Sequence, residues 1–550
     1  MNTFTLEANF LNLFDRTIRA CRLEIENGRI AGTLVLGNEN PTLPYLLPGF
    51  VDAHVHIESS MLTPSQFARL AVVHGTVATV SDPHEIGNVL GIEGVEYMIE
   101  DGQRVPLKFC FGAPSCVPAT PFETAGATIG LGDLRKLLGM KEIGYLAEMM
   151  NYPGVLHADP EIMAKLALAQ AFGKPIDGHA PGLRGEAAKK YIEAGISTDH
   201  ECFTYEEGRE KLELGMHVLI REGSAAKNFD ALIPLLSEFP RQIMFCSDDK
   251  HPDSLVEGHI NALVKRALAL GHDLFDVLQA ACLNPVLHYR LPVGLLREGD
   301  PADFIVVDNV QNFTVLQTYL DGELVAEAGK SLIPDLRSEH INNFSSSFKQ
   351  ASDFKVEVDA DSVDLRIIEV LDGQLITNAI QEKAGTPNGT IESDVSRDIL
   401  KIAVVNRYQD APPAVAFIRN FGLRVGAIAS TVGHDSHNII AVGCDDDSLC
   451  QAVNAVIETK GGLSAVGQGE SHLVPLPIAG LMTDSDGYSV AESYTQLDQF
   501  VKNTLGSTLT SPFMSLSFMA LLVIPSLKLS DKGLFDGDQF NFVPAYGYPA

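Results

Sequence analysis

Between Leu46 and Asp249 one texture repeats eight times: a short apolar run ending in polar or glycine residues, then a stretch long enough for a helix. The runs are LPGFVDAHVHI (47–57), VATVSDPH (77–84), LKFCFGAPS (107–115), IGYLAEMM (143–150), KPIDGHAPG (174–182), GISTDHECF (195–203), HVLIREGS (217–224) and RQIMFCSDD (241–249). Intervening segments such as Glu161 to Phe172, Gly185 to Ala194 and Leu255 to Leu270 have helical composition. Strand and helix alternating eight times predict an α/β fold, a (β/α)8 TIM-like barrel over residues 49–290.

The flanks read differently. Residues 1–48 alternate polar and apolar side chains, and Asn27-Gly28 between two alternating runs signals a hairpin. After the barrel, GLLREGDPADFIVVDN (294–309) returns to β texture. The expectation is a small composite β-sandwich domain built from residues 1–48 and 291–340, on either side of the barrel. Residues 341–360, polar and serine-rich, form the best linker, and 361–550 mix strand-like and helical runs as a C-terminal α+β domain. No internal repeat is visible.

Composition narrows the function. With 71 acidic and 40 basic side chains the net charge is −31, which argues against a binder of phosphate backbones. The eight cysteines are scattered without any Cys-x-x-Cys pair, so neither a disulfide scaffold nor a structural zinc site is expected. The longest apolar stretch, Phe513 to Pro525, is too short for a membrane span, which needs about 20 residues. With no signal peptide to be read at the start, the expected location is cytoplasmic, with no membrane partner.

The ends of the predicted strands carry the chemistry. His54 and His56 are two apart, so they share one strand face and can address one cation. Alone, such a pair is innocent as often as not. His179 closes the fifth run, His200 the sixth and Asp248 the eighth, all at carboxyl ends, where barrel active sites form. Imidazole with carboxylate suits zinc, iron or manganese. Glu148, at the end of the fourth run, is the carboxylate best placed to lie between two metals. Ser81-Asp82-Pro83-His84-Glu85 puts three ionisable groups in a turn after the second run, which could equally cap the next helix.

These residues carry a resemblance. PGFVDAHVHIESS (48–60) with the eight-run pattern resembles the amidohydrolase superfamily. HGTVATVSDPHEIGNVLG (74–91), GAPSCVPATPFETAG (112–126), AEMMNYPGV (147–155), GHAPGL (178–183), TDHECFTYEEGREKLELGM (198–216), REGSAAKN (221–228) and HDSHN (434–438) resemble its bacterial adenine deaminase branch. The resemblance implies hydrolysis of adenine to hypoxanthine and ammonia at a binuclear centre of Mn(II) or Fe(II), with Zn(II) also possible. By it, His54, His56 and Asp248 hold one metal, His179 and His200 the other, and Glu148 bridges them. The lysine carbamylated in many hydrolytic amidohydrolases has no counterpart, since Glu148 stands in its place. No His-x-Glu with a downstream Pro-Cys-x-x-Cys occurs, which separates the chain from the small zinc deaminases.

The implied chemistry is attack of a metal-activated bridging hydroxide on C6 of adenine. Asp248 is then the expected proton carrier, and Asp82, His84 and Glu85 are candidates to protonate or orient the base. Glu222 and Asp249 are candidate supporting groups; Asp82, His84 and Glu222 are also expected to contact the substrate, and Ser436 and His437 could reach over the barrel mouth to it. The expected partners are adenine and water, with a homodimer as the oligomeric state. Two alternatives stay open: hydrolysis of another purine or cyclic amidine, and a scaffold without catalysis.

Overall fold

The eight apolar runs become eight parallel strands: β1 (Phe50–Val55), β2 (Thr76–Ser81), β3 (Lys108–Ala113), β4 (Ile143–Met149), β5 (Ile176–Gly178), β6 (Thr198–Asp199), β7 (His217–Arg221) and β8 (Ile243–Cys246). The structure is a computed structural model and describes residues 3–548. Strands β1 to β5 and β6 to β8 pair in sequence order as two parallel sheets. Two backbone bonds join them into a ring: Ser197 N–H donates to Ile176 O at 2.9 Å, and Asp248 N–H to His54 O at 2.9 Å. Every residue of β1 and β2 is buried, which is why these runs are apolar throughout rather than alternating.

β5 and β6 are short because their runs turn early into loops, and their approach is close. A Cβ on Gly178 would lie 2.4 Å from the Thr198 carbonyl oxygen, so only glycine fits there. The predicted helices appear at Pro160–Ala171, capped by Asp159, and at Gly185–Glu193. The third divides at Gly258 into Pro252–Glu257 and Ile260–Ala269.

The two flanks of the barrel meet in one eight-stranded sheet. Its order runs from Lys330–Ser331 through Phe304–Val307 and Tyr45–Pro48 to Phe4–Asn12, Thr17–Glu26 and Arg29–Asn38. Asn27 and Gly28 both have positive φ (53° and 79°), the requirement of the two-residue hairpin turn that joins the last two strands. The sheet curls over its own core: Ala302 N–H reaches back to Gly28 O, and Phe4 and Phe304 both stack on Tyr319.

The C-terminal region holds a nine-stranded, mostly antiparallel sheet. Alternation along Leu400–Val405 gives the sheet two apolar faces. Ala403 and Val405 pack on the helix Asp446–Glu458 through Leu449, Val453 and Val456. Ile402 and Val404 face the other way, into the core shared with the barrel. Residues 332–350 have no regular structure but are tied down, and the serine-rich stretch goes on into the short helix Ala351–Phe354 and the strand Val356–Glu357. Ser338 and His340 bond to Asp484, and Asn343 donates to Val89 O and Gly126 O. Among the described residues no helix is long and apolar enough to cross a membrane, and the Phe513 stretch supplies the short helix Pro512–Phe518.

Asp52 of β1 holds the ring shut from inside. Its carboxylate accepts from Ser247 N (3.0 Å), the Ser247 hydroxyl and His259 Nε2 (2.7 Å), all buried. Asp52→Ala strands these donors and is expected to cost about 2–3 kcal/mol, read as a lower urea midpoint for the barrel transition.

Candidate active site

Each barrel strand delivers its last residues to one mouth. His54 and His56 alternate with Val55, so both point inward from β1. Glu148 is on β4, His179 directly follows β5, His200 follows β6, and Asp248 lies two residues beyond β8. Asp248 has φ of 55°, a left-handed conformation that aspartate tolerates and that active sites often retain.

The six side chains expected from the sequence meet in one cluster. His54 Nε2 and His56 Nε2 face each other at 3.2 Å, and Asp248 Oδ1 lies 3.7 Å and 3.3 Å from them. On the other side, Glu148 Oε2 is 2.8 Å from His179 Nδ1 and 3.1 Å from His200 Nε2. Glu148 Oε1 turns back to His56 Nε2 at 3.6 Å. Its two oxygens therefore face the two imidazole sets.

The turn after β2 joins the same cluster. His84 Nδ1 lies 3.3 Å from Asp82 Oδ2 and 3.6 Å from Glu148 Oε1, and its Nε2 is 3.4 Å from Glu85 Oε1. The Asp82 carbonyl bonds His56 Nδ1 at 3.2 Å and so orients that ring. Asp249 also borders the cleft, accepting a hydrogen bond from Ser59 Oγ at 2.5 Å.

Three expected substrate contacts turn out otherwise. Glu222 points away from the mouth to Arg266 (3.0 Å), because its Arg221 neighbour takes the inward side of the chain. The Ser436 hydroxyl bonds Asn438, and His437 Nε2 bonds Glu85 from behind. Neither Ser436 nor His437 borders the cleft; their neighbours His434 and Asp435 do.

Sequence reasoning passed over four polar residues. Glu201 follows His200 directly and lies 3.6 Å from His179 Nδ1. Arg221, a lone charge ending the apolar run of β7, places one guanidinium nitrogen 2.5 Å from both Glu201 Oε1 and Asp248 Oδ2. His434 Nδ1 pairs with Glu85 Oε1 at 2.6 Å, and Asp435 approaches His84. Their signals were adjacency to His200, a charge inside an apolar run, and membership of the HDSHN string. Leu375, Phe518 and Leu521 of the C-terminal region form the apolar wall of the cleft.

The electrostatics need a cation. Asp82, Glu85, Glu148, Glu201, Asp248 and Asp435 are all buried here, against the single buried guanidinium of Arg221. Burial would push the Glu148 carboxyl up, yet the His179 and His200 imidazoles hold it well below the usual range. Burial likewise opposes ionisation of Asp248, and Arg221 with His56 overcomes it. His54 goes the other way: burial and the His200 and His56 rings drive its pKa well below normal, leaving a neutral imidazole.

The donor set fits divalent metal. Two Nε2 atoms at 3.2 Å compete for one proton unless a cation takes both lone pairs. His54 Nδ1, His84 Nδ1, Asp82 Oδ2 and His179 Nε2 are buried without a hydrogen-bond partner. His54, His56 and Asp248 form one group able to hold an ion, and His54, Glu148 and His200 another. All these donors are nitrogen or oxygen, the set for zinc, iron or manganese.

Comparison with known proteins agrees with this architecture. Residues 45–325 match the amidohydrolase family, and residues 374–541 match the adenine deaminase C-terminal domain. An adenine deaminase of Sulfurovum sp. is 56% identical over 98% of this chain and 99% of its own length. One from Salinibacter ruber is 55% identical over 99% of each chain, and one from Methanosarcina mazei 52% identical over 95% of this chain and 96% of its own. The chain belongs to the amidohydrolase family of metal-dependent hydrolases. Within it, the adenine deaminase family is the one it belongs to.

Glu123 sits behind Asp435, and burial, with Asp435 beside it, raises its pKa from 4.5 to about 8. The folded protein therefore keeps a proton that the unfolded chain releases near 4.5. This contribution to stability is complete below that value and is lost as pH rises through about 8. Glu123→Gln is expected to flatten the fall in thermal midpoint between pH 6 and 9, measured by calorimetry.

Proposed function

We propose that the chain hydrolyses adenine to hypoxanthine and ammonia with two divalent cations bound at the barrel mouth. The observation that carries this is Glu148, whose two oxygens face His56 on one side and His179 with His200 on the other. His54, His56 and Asp248 would hold one cation and His179 and His200 the other, with Glu148 available to both sets. Mn(II) or Fe(II) is the expected occupant, and the same donors accept Zn(II). When bound, the cations lower the pKa of water enough to supply hydroxide near neutral pH.

The chain's own groups do the rest. Leu375, Phe518 and Leu521 give the flat base an apolar wall and keep bulk water out. His84 presents Nε2 between Glu85 and Asp435. Asp82 and Glu85 outweigh burial and keep that ring protonated. It is the donor to the purine ring nitrogen as C6 becomes tetrahedral. Asp248 takes the proton of the attacking water and returns it to the departing amine, while Arg221 holds its other oxygen. The proton then lost from the C6 hydroxyl as the carbonyl forms restores the one His84 gave. Glu85 is fixed by His434 and His437, which keeps it aimed at His84.

The test is ammonia release by Mn-loaded protein from adenine, adenosine and guanine side by side. Turnover of adenine is expected; full metal occupancy without ammonia from adenine defeats the reading. Asp248→Asn is expected to lower kcat by roughly 10²–10⁴-fold, the range of a lost acid–base group. Glu148→Gln should lose metal on dialysis as well as rate, followed by elemental analysis; parental metal content and turnover would remove Glu148 from the centre.

A further inference from the structure

Lys528 is completely buried, yet neither the metal cluster nor the proton transfers use it. It lies in the strand Leu527–Ser530 of the C-terminal region. Its Nζ donates to Leu375 O at 2.6 Å and to Phe518 O at 3.0 Å. Among the described residues no carboxylate pairs with it, and burial alone drives its pKa down to about 7. A lysine in such a place is costly unless its donors are needed.

Both carbonyls belong to residues whose side chains wall the cleft. Leu375 stands in the loop between the strands Ser362–Val370 and Thr377–Gly385. Phe518 ends the helix Pro512–Phe518, where the last carbonyls have no partner within the helix. A cation or amine donor at that end satisfies one of them and suits the helix dipole. The neighbouring backbone braces the same arrangement: Leu529 N–H donates to Met519 O, and the Thr377 hydroxyl to Leu527 O.

Phe518 also reaches the polar side of the cleft. Its ring stacks on His434 at 4.9 Å, and His434 pairs with Glu85. One side chain therefore ties together two walls that come from separate parts of the chain. If Lys528 only satisfied two carbonyls, its loss would lower stability and leave recognition alone.

We propose that Lys528 is a positioning residue for the substrate cleft, setting the spacing between Leu375 and Phe518 so that a flat purine is gripped between them. This rests on the reading of the cleft as the adenine site. Because the contact with substrate is made through apolar walls that carry no proton and hold no cation, the effect falls on binding and spares the chemical step.

The experiment is steady-state kinetics of the full-length, Mn-loaded protein with adenine. Lys528→Met, which removes both donors, is expected to raise KM roughly tenfold, the scale of a lost buried hydrogen bond, with kcat within about twofold and parental metal content. Lys528→Gln is shorter and can hold one carbonyl; its KM should rise roughly threefold on the same scale. The graded pair covers the case in which the methionine variant does not fold. An unchanged KM in either folded variant overturns the proposal. So does a fall in kcat with loss of metal at constant KM, which marks a structural role. A parent protein inactive on adenine defeats the functional reading and this inference with it, whereas an active parent with unaltered variants defeats the inference alone.

Discussion

The organisation of this molecule depends on the cost of burying carboxylates. Asp82, Glu85, Glu148, Glu201, Asp248 and Asp435 converge at the barrel mouth, out of water. Isolated, each would be neutralised or expelled; together they hold because imidazoles and Arg221 answer them and the cluster can hold a metal ion. Arg221 joins Glu201 to Asp248, and so couples the sixth and eighth strand ends through the seventh. The β2 turn and the C-terminal loop meet in the same way, since Glu85 is gripped by His434 and His437. Polar contacts thus place the loops, while the apolar strands below place the mouth.

The C-terminal region is part of the site. Its sheet turns one apolar face to its own helix and the other to the core shared with the barrel. That fixes the loop carrying His434 and Asp435, together with the wall residues Leu375, Phe518 and Leu521, over the strand ends. A barrel alone would leave the cluster open to water, where electrostatic contacts weaken. Closing it from a second region sets an apolar wall against a charged floor.

Much of this architecture is legible in the order of the residues. Eight apolar runs specify eight parallel strands, because a strand buried on both faces has no polar positions to alternate. The histidines and acids at run ends specify the cluster, because carboxyl ends of barrel strands point to one mouth. Glu222 misleads for a local reason. It follows Arg221, and neighbouring strand positions face opposite sides, so only one of the two can enter the cleft. Ser436 and His437 mislead in a similar manner, lying close in sequence to Asp435 and His434, which do enter.

The sequence by itself determined the barrel, the composite sheet fed from both flanks, and the six side chains that meet in the cluster. All of these follow from periodicity and chemical type, which are properties of neighbours along the chain. Tertiary structure alone decided that Arg221 sits between two acids, that His434 braces Glu85, and that Lys528 ties Leu375 to Phe518. Most of these contacts pair residues remote in sequence, and which donor meets which acceptor is set by how separately folded layers pack. No local pattern encodes that distance.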